Sequence, residues 1–357
     1  MTFPNSVETV AGLPRVALLA TGGTIAGAAA HTMSTATYRA GTVGIDELVA
    51  AVPALSGVAA ISPEQLANND SKDMTVALWM DLRARVNELL ADSDIDAVVI
   101  THGTDTLEET AYWLQLTTRS EKPVVLTAAM RPANALSADG PLNLVNAVTV
   151  AVHPSAQGRG VMVVFANLIH AARDITKIST YSVTAFSSGE FGALGWVQDG
   201  RVIFPRRVNS VTMVPGSDVQ SWPGHPYDRG FARDGVLIET LPRVEIVSSY
   251  SGVSRTLVDN LVETGAKGIV VAGTGNGSLH EELEHALATA ARSGIAVVRS
   301  TRVWGGYVAR NAGARDDALG FIAAGNLNPY KARVLLMLGL AMNITEAEQL
   351  QTLFECC

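Results

Sequence analysis

Short apolar runs recur along this chain, and each breaks into a turn rich in Gly and Thr. Val16-Ala17-Leu18-Leu19 leads into Thr21-Gly22-Gly23-Thr24, and Ala97-Val98-Val99-Ile100 leads into Thr101-His102-Gly103-Thr104-Asp105. Runs of this length and character read as buried strands. Between them lie stretches of helical periodicity. Thr75–Ala91 puts Leu78, Leu82, Val86 and Leu89 on one stripe, and Leu107–Thr117 opens with Thr106 and Glu109 at capping-box spacing. Ile45–Ala51 reads as a short helix. Pro123–Thr127, Pro141–Val152 and Gly160–Phe165 continue the alternation as strand, helix and strand. Strands alternating with helices require parallel βαβ units, so the chain is predicted to be α/β with helices on both faces of its sheet. Asp199-Gly200, between Leu194–Val197 and Val202–Phe204, signals a hairpin.

A second series repeats the rhythm. Val244–Val247, Lys267–Ala272 and Ile295–Arg299 read as strands, and Ser254–Glu263, His280–Arg292, Asn328–Asn343 and Glu346–Phe354 as helices. Between the series, from Val208 to Asp234, periodicity fades and Pro215, Gly216, Pro223, Gly224 and Pro226 gather. The predicted organisation is an N-terminal α/β domain over 1–210, a linker over 211–235 and a C-terminal α/β domain over 236–357. A chain of 357 residues, 48% of them hydrophobic, can support more than one core.

The formal net charge of -8, with no Lys/Arg run or basic helix, argues against nucleic acid and an anionic membrane as partners. No run of apolar residues is long enough for a membrane-spanning helix. Met1–Arg15 does not have the pattern of a signal peptide, so the expected location is cytoplasmic as sequenced, and periplasmic or secreted if a leader was removed. The only cysteines, Cys356 and Cys357, exclude a disulfide framework and read as an unstructured tail pair. No His, Cys or acid set has metal-ligand spacing, so neither metal nor cofactor is expected. Gly273-Thr274-Gly275-Asn276-Gly277 lacks the G-x-G-x-x-G spacing of a dinucleotide loop.

Ligands of open parallel sheets bind at the carboxyl ends of the strands, near the point where strand order reverses. The segments that follow the predicted strands are therefore the candidates: Gly22-Gly23-Thr24, His102-Gly103-Thr104-Asp105, Ala128-Ala129-Met130 and Arg173-Asp174-Ile175-Thr176-Lys177. A Thr hydroxyl becomes a nucleophile beside a base. Lys177 is a candidate base, or a group that tunes one, and Asp105 a candidate to orient and charge-balance it. Each residue also has a plain structural reading: a tight bend for the Gly-Gly-Thr turn, a helix start for Asp105, a surface lysine for Lys177, a packed side chain for His102. Ala28–Thr42, long, polar and carrying Tyr38, is a candidate lid.

Thr21-Gly22-Gly23-Thr24-Ile25-Ala26-Gly27, together with Thr101-His102-Gly103-Thr104-Asp105-Thr106-Leu107-Glu108-Glu109-Thr110-Ala111, resembles the bacterial L-asparaginase/glutaminase family, most closely its type II branch. Ala129-Met130-Arg131-Pro132, Ser137-Ala138-Asp139-Gly140-Pro141, Arg173-Asp174-Ile175-Thr176-Lys177 and Leu327-Asn328-Pro329-Tyr330-Lys331-Ala332-Arg333 extend the match along nearly the whole chain. The resemblance implies two α/β domains, a larger mainly parallel doubly wound (flavodoxin-like) sheet and a smaller Rossmann-like one. It implies hydrolysis of L-asparagine to L-aspartate and ammonia through a Thr acyl-enzyme, with lower activity on L-glutamine. It also implies a homotetramer built as a dimer of dimers, with no cofactor.

By motif position Thr24 is the acyl-forming nucleophile and Tyr38 its loop partner, and Thr104, Asp105 and Lys177 form a second triad. Ser71 and Asp105 grip the substrate's α-carboxylate and α-amino group, with Lys72 beside them. Gly23, Gly103 and Ala129 supply backbone around the amide, and Ser278 reaches the neighbouring subunit's substrate. Which Thr acts in which half-reaction is not decided by residue types. A glutaminase-preferring amidohydrolase and a non-catalytic amino-acid-binding homologue are the alternatives. One departure stands out: the resemblance implies a glutamate, often present in the family, that comes from the neighbouring subunit to meet the loop tyrosine, and Arg310-Asn311-Ala312-Gly313-Ala314-Arg315 holds none.

Overall fold

In a computed structural model the described residues are 12–118, 120–206 and 240–357. The expected linker over 211–235 lies outside them. The chain divides into two units, one of Met1–Gln115 and Ser120–Val208, the other of Leu116–Arg119 and Asn209–Cys357.

The first unit is organised on an eight-stranded sheet. In chain order its elements are β1 (Arg15–Gly22), α1 (Ile45–Ala50), β2 (Ala60–Asn69), α2 (Val76–Ala91), β3 (Ala97–Thr101), α3 (Leu107–Thr117), β4 (Val124–Thr127), α4 (Gly140–Ala151), β5 (Val161–Phe165), β6 (Leu168–Ala171), the small pair β7 (Thr176–Lys177) and β8 (Phe186–Ser187), β9 (Gly195–Gln198) and β10 (Arg201–Ile203). The parallel strands lie in the order β2-β1-β3-β4-β5, and β6, β9 and β10 extend the sheet antiparallel. This is the doubly wound, flavodoxin-like arrangement, and its strand order reverses between β1 and β3.

Strands buried on both faces read as continuous apolar runs, which is why these were visible in the sequence. Val16, Leu18 and Ala20 of β1 pack in one core with Ile45 and Leu48 of α1 and with Leu144, Ala147 and Val148 of α4. The alternate residues Ala17, Leu19, Val98 and Ile100 are equally buried. The helices α2 and α3 are clamped by Trp79 and Trp113, whose rings stack at 5.9 Å. Trp79 Nε1 donates to Thr110 Oγ1 (2.9 Å) and Trp113 Nε1 to the Trp79 carbonyl (2.9 Å), so both indole N–H groups are satisfied in the core.

The strand β2 was not expected. It is an edge strand, mostly exposed and containing Pro63, so it lacks the apolar signal of its neighbours and can tolerate proline. Nor does β5 run on directly towards Lys177. Ala166 and Asn167, both at positive φ, turn the chain into β6. The Asp199-Gly200 hairpin is present, with φ of 49° and 73° at its two turn residues.

The second unit runs β11 (Val244–Ser248), α5 (Thr256–Glu263), β12 (Gly268–Gly273), α6 (Glu281–Arg292), β13 (Ala296–Thr301), α7 (Asp316–Leu319), β14 (Phe321–Ala323), α8 (Pro329–Ala341) and α9 (Ala347–Cys356). Its four strands are parallel in sequential order. Both α7 and β14 are additions to the sequence reading, too short to show a period. A fully buried ion pair, Arg299–Asp316, ties the loops at one end of this sheet. Arg299 also donates to the carbonyls of Asn276 (2.7 Å) and Ala309 (2.8 Å), and Asp316 accepts from Asn311 N (2.6 Å). The terminal cysteines correct the expectation of an unstructured tail. Cys356 closes α9 and both are buried, which pushes the Cys356 thiol above its ordinary pKa.

Candidate active site

The site of the first unit begins with glycines that allow three segments to meet. Gly23, at φ +82°, has no room for a side chain: a Cβ there would stand 2.3 Å from Gly103 Cα. A Cβ on Gly103 would stand 2.5 Å from Ser71 Oγ. The turns after β1 and β3 and the short turn Ser71–Asp73 after β2 are thus in direct contact at the strand-order reversal. Such a crevice is where this class of sheet binds ligands.

Two hydroxyl groups are presented there, each with its own partner. Thr24 is buried, and its Oγ1 lies 2.7 Å from the Tyr38 hydroxyl. Tyr38 is brought over by the segment 28–42, which folds back through a pair of 3.0 Å bonds between Ala28 and Arg39. Thr104, also buried, accepts from Lys177 Nζ (2.8 Å), and the same ammonium donates to Asp105 Oδ1 (2.6 Å). The lysine side chain is 19% exposed and that of Asp105 54%, so the carboxylate looks outward from the cluster.

Ser71 is buried beside them, its Oγ accepting from Asp105 N (3.2 Å) and its carbonyl from Thr106 Oγ1 (2.8 Å). The backbone of Asp105 is therefore fixed by Ser71 while its carboxylate is held by Lys177. Lys72 is not brought into the cluster. Its ammonium bridges Asp70 (2.8 Å) and Asp73 (2.9 Å) on the exposed side of the turn, and those bonds raise its pKa. Ala129 is fully buried at the end of β4. The turn after it is held by Asp139, which accepts from Met130 N and Arg131 N at 2.9 Å each. Asn143 Nδ2 donates to the Ala128 carbonyl at 3.0 Å.

His102 is packed, as its plain reading has it. Its Nδ1 lies 2.7 Å from the Gly103 carbonyl, and burial pushes its pKa down to about 4, so the ring is neutral and Nδ1 is the donor. Ser278 belongs to the second unit. It is exposed beyond β12, in a loop closed by paired bonds with Thr274 of 2.9 and 2.7 Å. Among the described residues no group of three His, Cys, Asp or Glu is placed to hold a metal ion.

Sequence reading missed three kinds of residue here. Glu108 is buried and its Oε2 accepts from Lys177 N at 2.8 Å. Asp139 and Asn143 fix the turn after β4. Asn134 and Tyr181 hold the 28–42 segment, through Asn134 bonds to Ala29 N (2.8 Å) and O (2.7 Å) and a 2.7 Å contact between Tyr181 OH and Thr35 Oγ1. The quoted motifs contain Glu108 and Asp139 but say nothing of their partners. Asn134 and Tyr181 carry no local signal at all.

Paired hydroxyls at the switch point of a flavodoxin-like sheet, one set against a lysine–aspartate pair, are groups of the kind that nucleophilic catalysis requires. Comparison with known proteins narrows the class. Residues 15–209 match the family description "Asparaginase, N-terminal" and residues 243–354 "Glutaminase/Asparaginase C-terminal domain". The chain is 43% identical to "L-asparaginase 2" of Bacillus subtilis, over 96% of this chain and 86% of that protein. It is 42% identical to "Glutaminase-asparaginase" of Pseudomonas fluorescens, over 98% and 92%. A crystal structure titled as a probable cytoplasmic L-asparaginase from Campylobacter jejuni superposes with a TM-score of 0.86 at 44% identity, covering 96% of this chain and all of that one. The chain belongs to the asparaginase/glutaminase family of amidohydrolases.

Proposed function

We propose that this protein hydrolyses the side-chain amide of L-asparagine to L-aspartate and ammonia, with a lower activity on L-glutamine. The observation that carries the reading is the pairing of two buried threonines at one crevice, Thr24 with Tyr38 and Thr104 with Lys177 and Asp105. A protein that only bound an amino acid would have no use for two hydroxyls each set against a proton-handling group. The names of the relatives, split between L-asparaginase and glutaminase-asparaginase, point the same way.

In this reading the substrate's α-ammonium meets the outward face of Asp105 and its α-carboxylate meets Ser71. Thr24 Oγ1 attacks the carboxamide carbon, and its proton leaves through the contact with Tyr38. The tetrahedral oxyanion is stabilised by backbone N–H groups already fixed in the adjoining turns, the arrangement that costs no reorganisation during reaction. The C–N bond then breaks, the nitrogen takes up the proton that Thr24 gave up, and ammonia departs. Water adds to the ester carbon beside Thr104 and the Lys177 ammonium that holds it, the bond to Thr24 Oγ1 breaks, that oxygen takes back the proton the water gives up, and L-aspartate is released. The chain's own groups carry every proton.

Thr24→Ala and Thr104→Ala should each abolish steady-state ammonia release while L-asparagine still binds, as read by calorimetry. Full turnover by either variant would overturn the assignment. Preference between L-asparagine and L-glutamine turns on one methylene, worth about 1–3 kcal/mol in a pocket, so kcat/KM for the two substrates side by side sets the ratio. The N-terminal domain is proposed to carry the catalytic residues. The C-terminal domain is proposed to offer Ser278 to a neighbouring subunit in a homotetramer assembled as a dimer of dimers. The exposure of Ser278 supports this.

A further inference from the structure

Glu108 is a buried carboxylate that the proposed chemistry does not use. It lies in the first turn of α3, 5% exposed, and Lys177 N donates to its Oε2 at 2.8 Å across 69 residues of sequence. Lys177 stands on β7, a strand of two residues paired only with β8. A strand so short fixes its backbone weakly, and a lysine has four rotatable side-chain bonds beyond it. Yet the Lys177 ammonium sits within 2.8 Å of Thr104 and 2.6 Å of Asp105, both just ahead of α3.

We infer that Glu108 is a positioning residue for the reaction: its carboxylate pins the Lys177 backbone to the helix start that carries Thr104 and Asp105. The lysine is then held at both ends by one rigid element. Its backbone N–H is on the first turn of α3 and its ammonium on the two residues that lead into that turn. The distance from Lys177 Nζ to Thr104 Oγ1 is thereby set by a single helix start, independent of any slack in β7. Glu108 lies three and four residues beyond Asp105 and Thr104, in the first turn of the helix into which they lead. Removing the bond also leaves a half-buried N–H without this acceptor, which loosens the β7 backbone.

The inference rests on the amidohydrolase reading, and the test separates the two. Three full-length variants are compared with the unsubstituted protein in steady-state hydrolysis of L-asparagine. Glu108→Gln keeps an acceptor oxygen at the same reach without the charge, and Glu108→Asp keeps the charge but withdraws the acceptor by one methylene. Glu108→Ala removes both. A shift of about 1 Å in a catalytic group costs on the order of 100-fold, so kcat should fall roughly 10- to 100-fold in Glu108→Ala and Glu108→Asp. KM should stay within about twofold, since Ser71 and the Asp105 backbone are untouched, and Glu108→Gln should recover most of kcat. A kcat within about twofold of the original for Glu108→Asp, or a Glu108→Gln as impaired as Glu108→Ala, would overturn the inference. Should Glu108→Ala not fold, the Asp–Gln contrast decides alone. If the unsubstituted protein releases no ammonia from L-asparagine or L-glutamine, it is the amidohydrolase reading that fails.

Discussion

His102 shows how a single residue in the site couples stability to pH. It is fully buried, and desolvation lowers its pKa from 6.5 to about 4. The unfolded chain takes up a proton on this ring below pH 6.5, while the native one resists until about pH 4. Native stability is therefore complete above pH 6.5 and falls as pH drops towards 4, by about 3 kcal/mol from this group alone. In His102→Asn an amide takes the place of the ring, and urea unfolding at pH 7 and pH 4.5 should show a smaller acid loss than in the original protein. Equal losses in both would mean that the ring is not held neutral. At this scale the sequence was informative where a residue acts next to its neighbours in the chain. Thr24, Thr104 and Asp105 stand in turns whose glycines announced them, whereas Ser71 stands in a polar turn without glycine and was reached only through the family resemblance. Glu108 and Asp139 were in view, but their partners, Lys177 N and the N–H groups of Met130 and Arg131, follow from tertiary folding and leave no local trace.

Among the elements, the segment 28–42 raised the sharpest question, because the family resemblance leads one to expect a glutamate against the loop tyrosine and residues 310–315 hold none. Within the first unit the segment is held by its own chain. Asn134 clamps both the N–H and the carbonyl of Ala29, Leu136 N donates to the Thr32 carbonyl (2.7 Å), and Tyr181 meets Thr35. The Tyr181 contact is exposed, and a bond of that kind contributes about 0.5–1.5 kcal/mol. Tyr181→Phe should therefore lower kcat/KM by up to about tenfold, through weaker closure of Tyr38 over Thr24. Asn134→Ala, which loses two bonds of a half-buried clamp, should cost more. Stopped-flow closure rates and kcat/KM read both effects, and an Asn134→Ala variant with unchanged kcat/KM would show that the anchor lies elsewhere. Strands and helices were legible to the extent that burial imposed a period on them. The buried strands β1, β3, β4, β12 and β13 appeared as apolar runs, whereas β2, an exposed edge, and β7, two residues long, had no period to show.

At the scale of the whole molecule, the two units carry different parts of one proposed site. Thr24, Thr104 and Lys177 belong to the first, and Ser278 to the second, in a loop whose walls are fixed by the buried Arg299–Asp316 pair. If subunits pair so that each completes its neighbour's crevice, the two contributions can be separated genetically. Thr24→Ala removes the nucleophile of its own site, and Ser278→Trp, at an exposed position that tolerates bulk, obstructs the neighbour's. Each variant alone should be nearly inactive. In a mixture refolded at equal ratio, half of the dimers pair one of each, and in every such dimer one site has both Thr24 and Ser278 intact. One good site of two in half the dimers predicts recovery of about a quarter of the original activity, as expected for a reciprocal twofold interface. Sedimentation should show the mixed species at the mass of the unsubstituted oligomer. Activity equal to the mean of the two separate variants would place Ser278 outside any shared site, and an active monomer would dispose of the interface altogether.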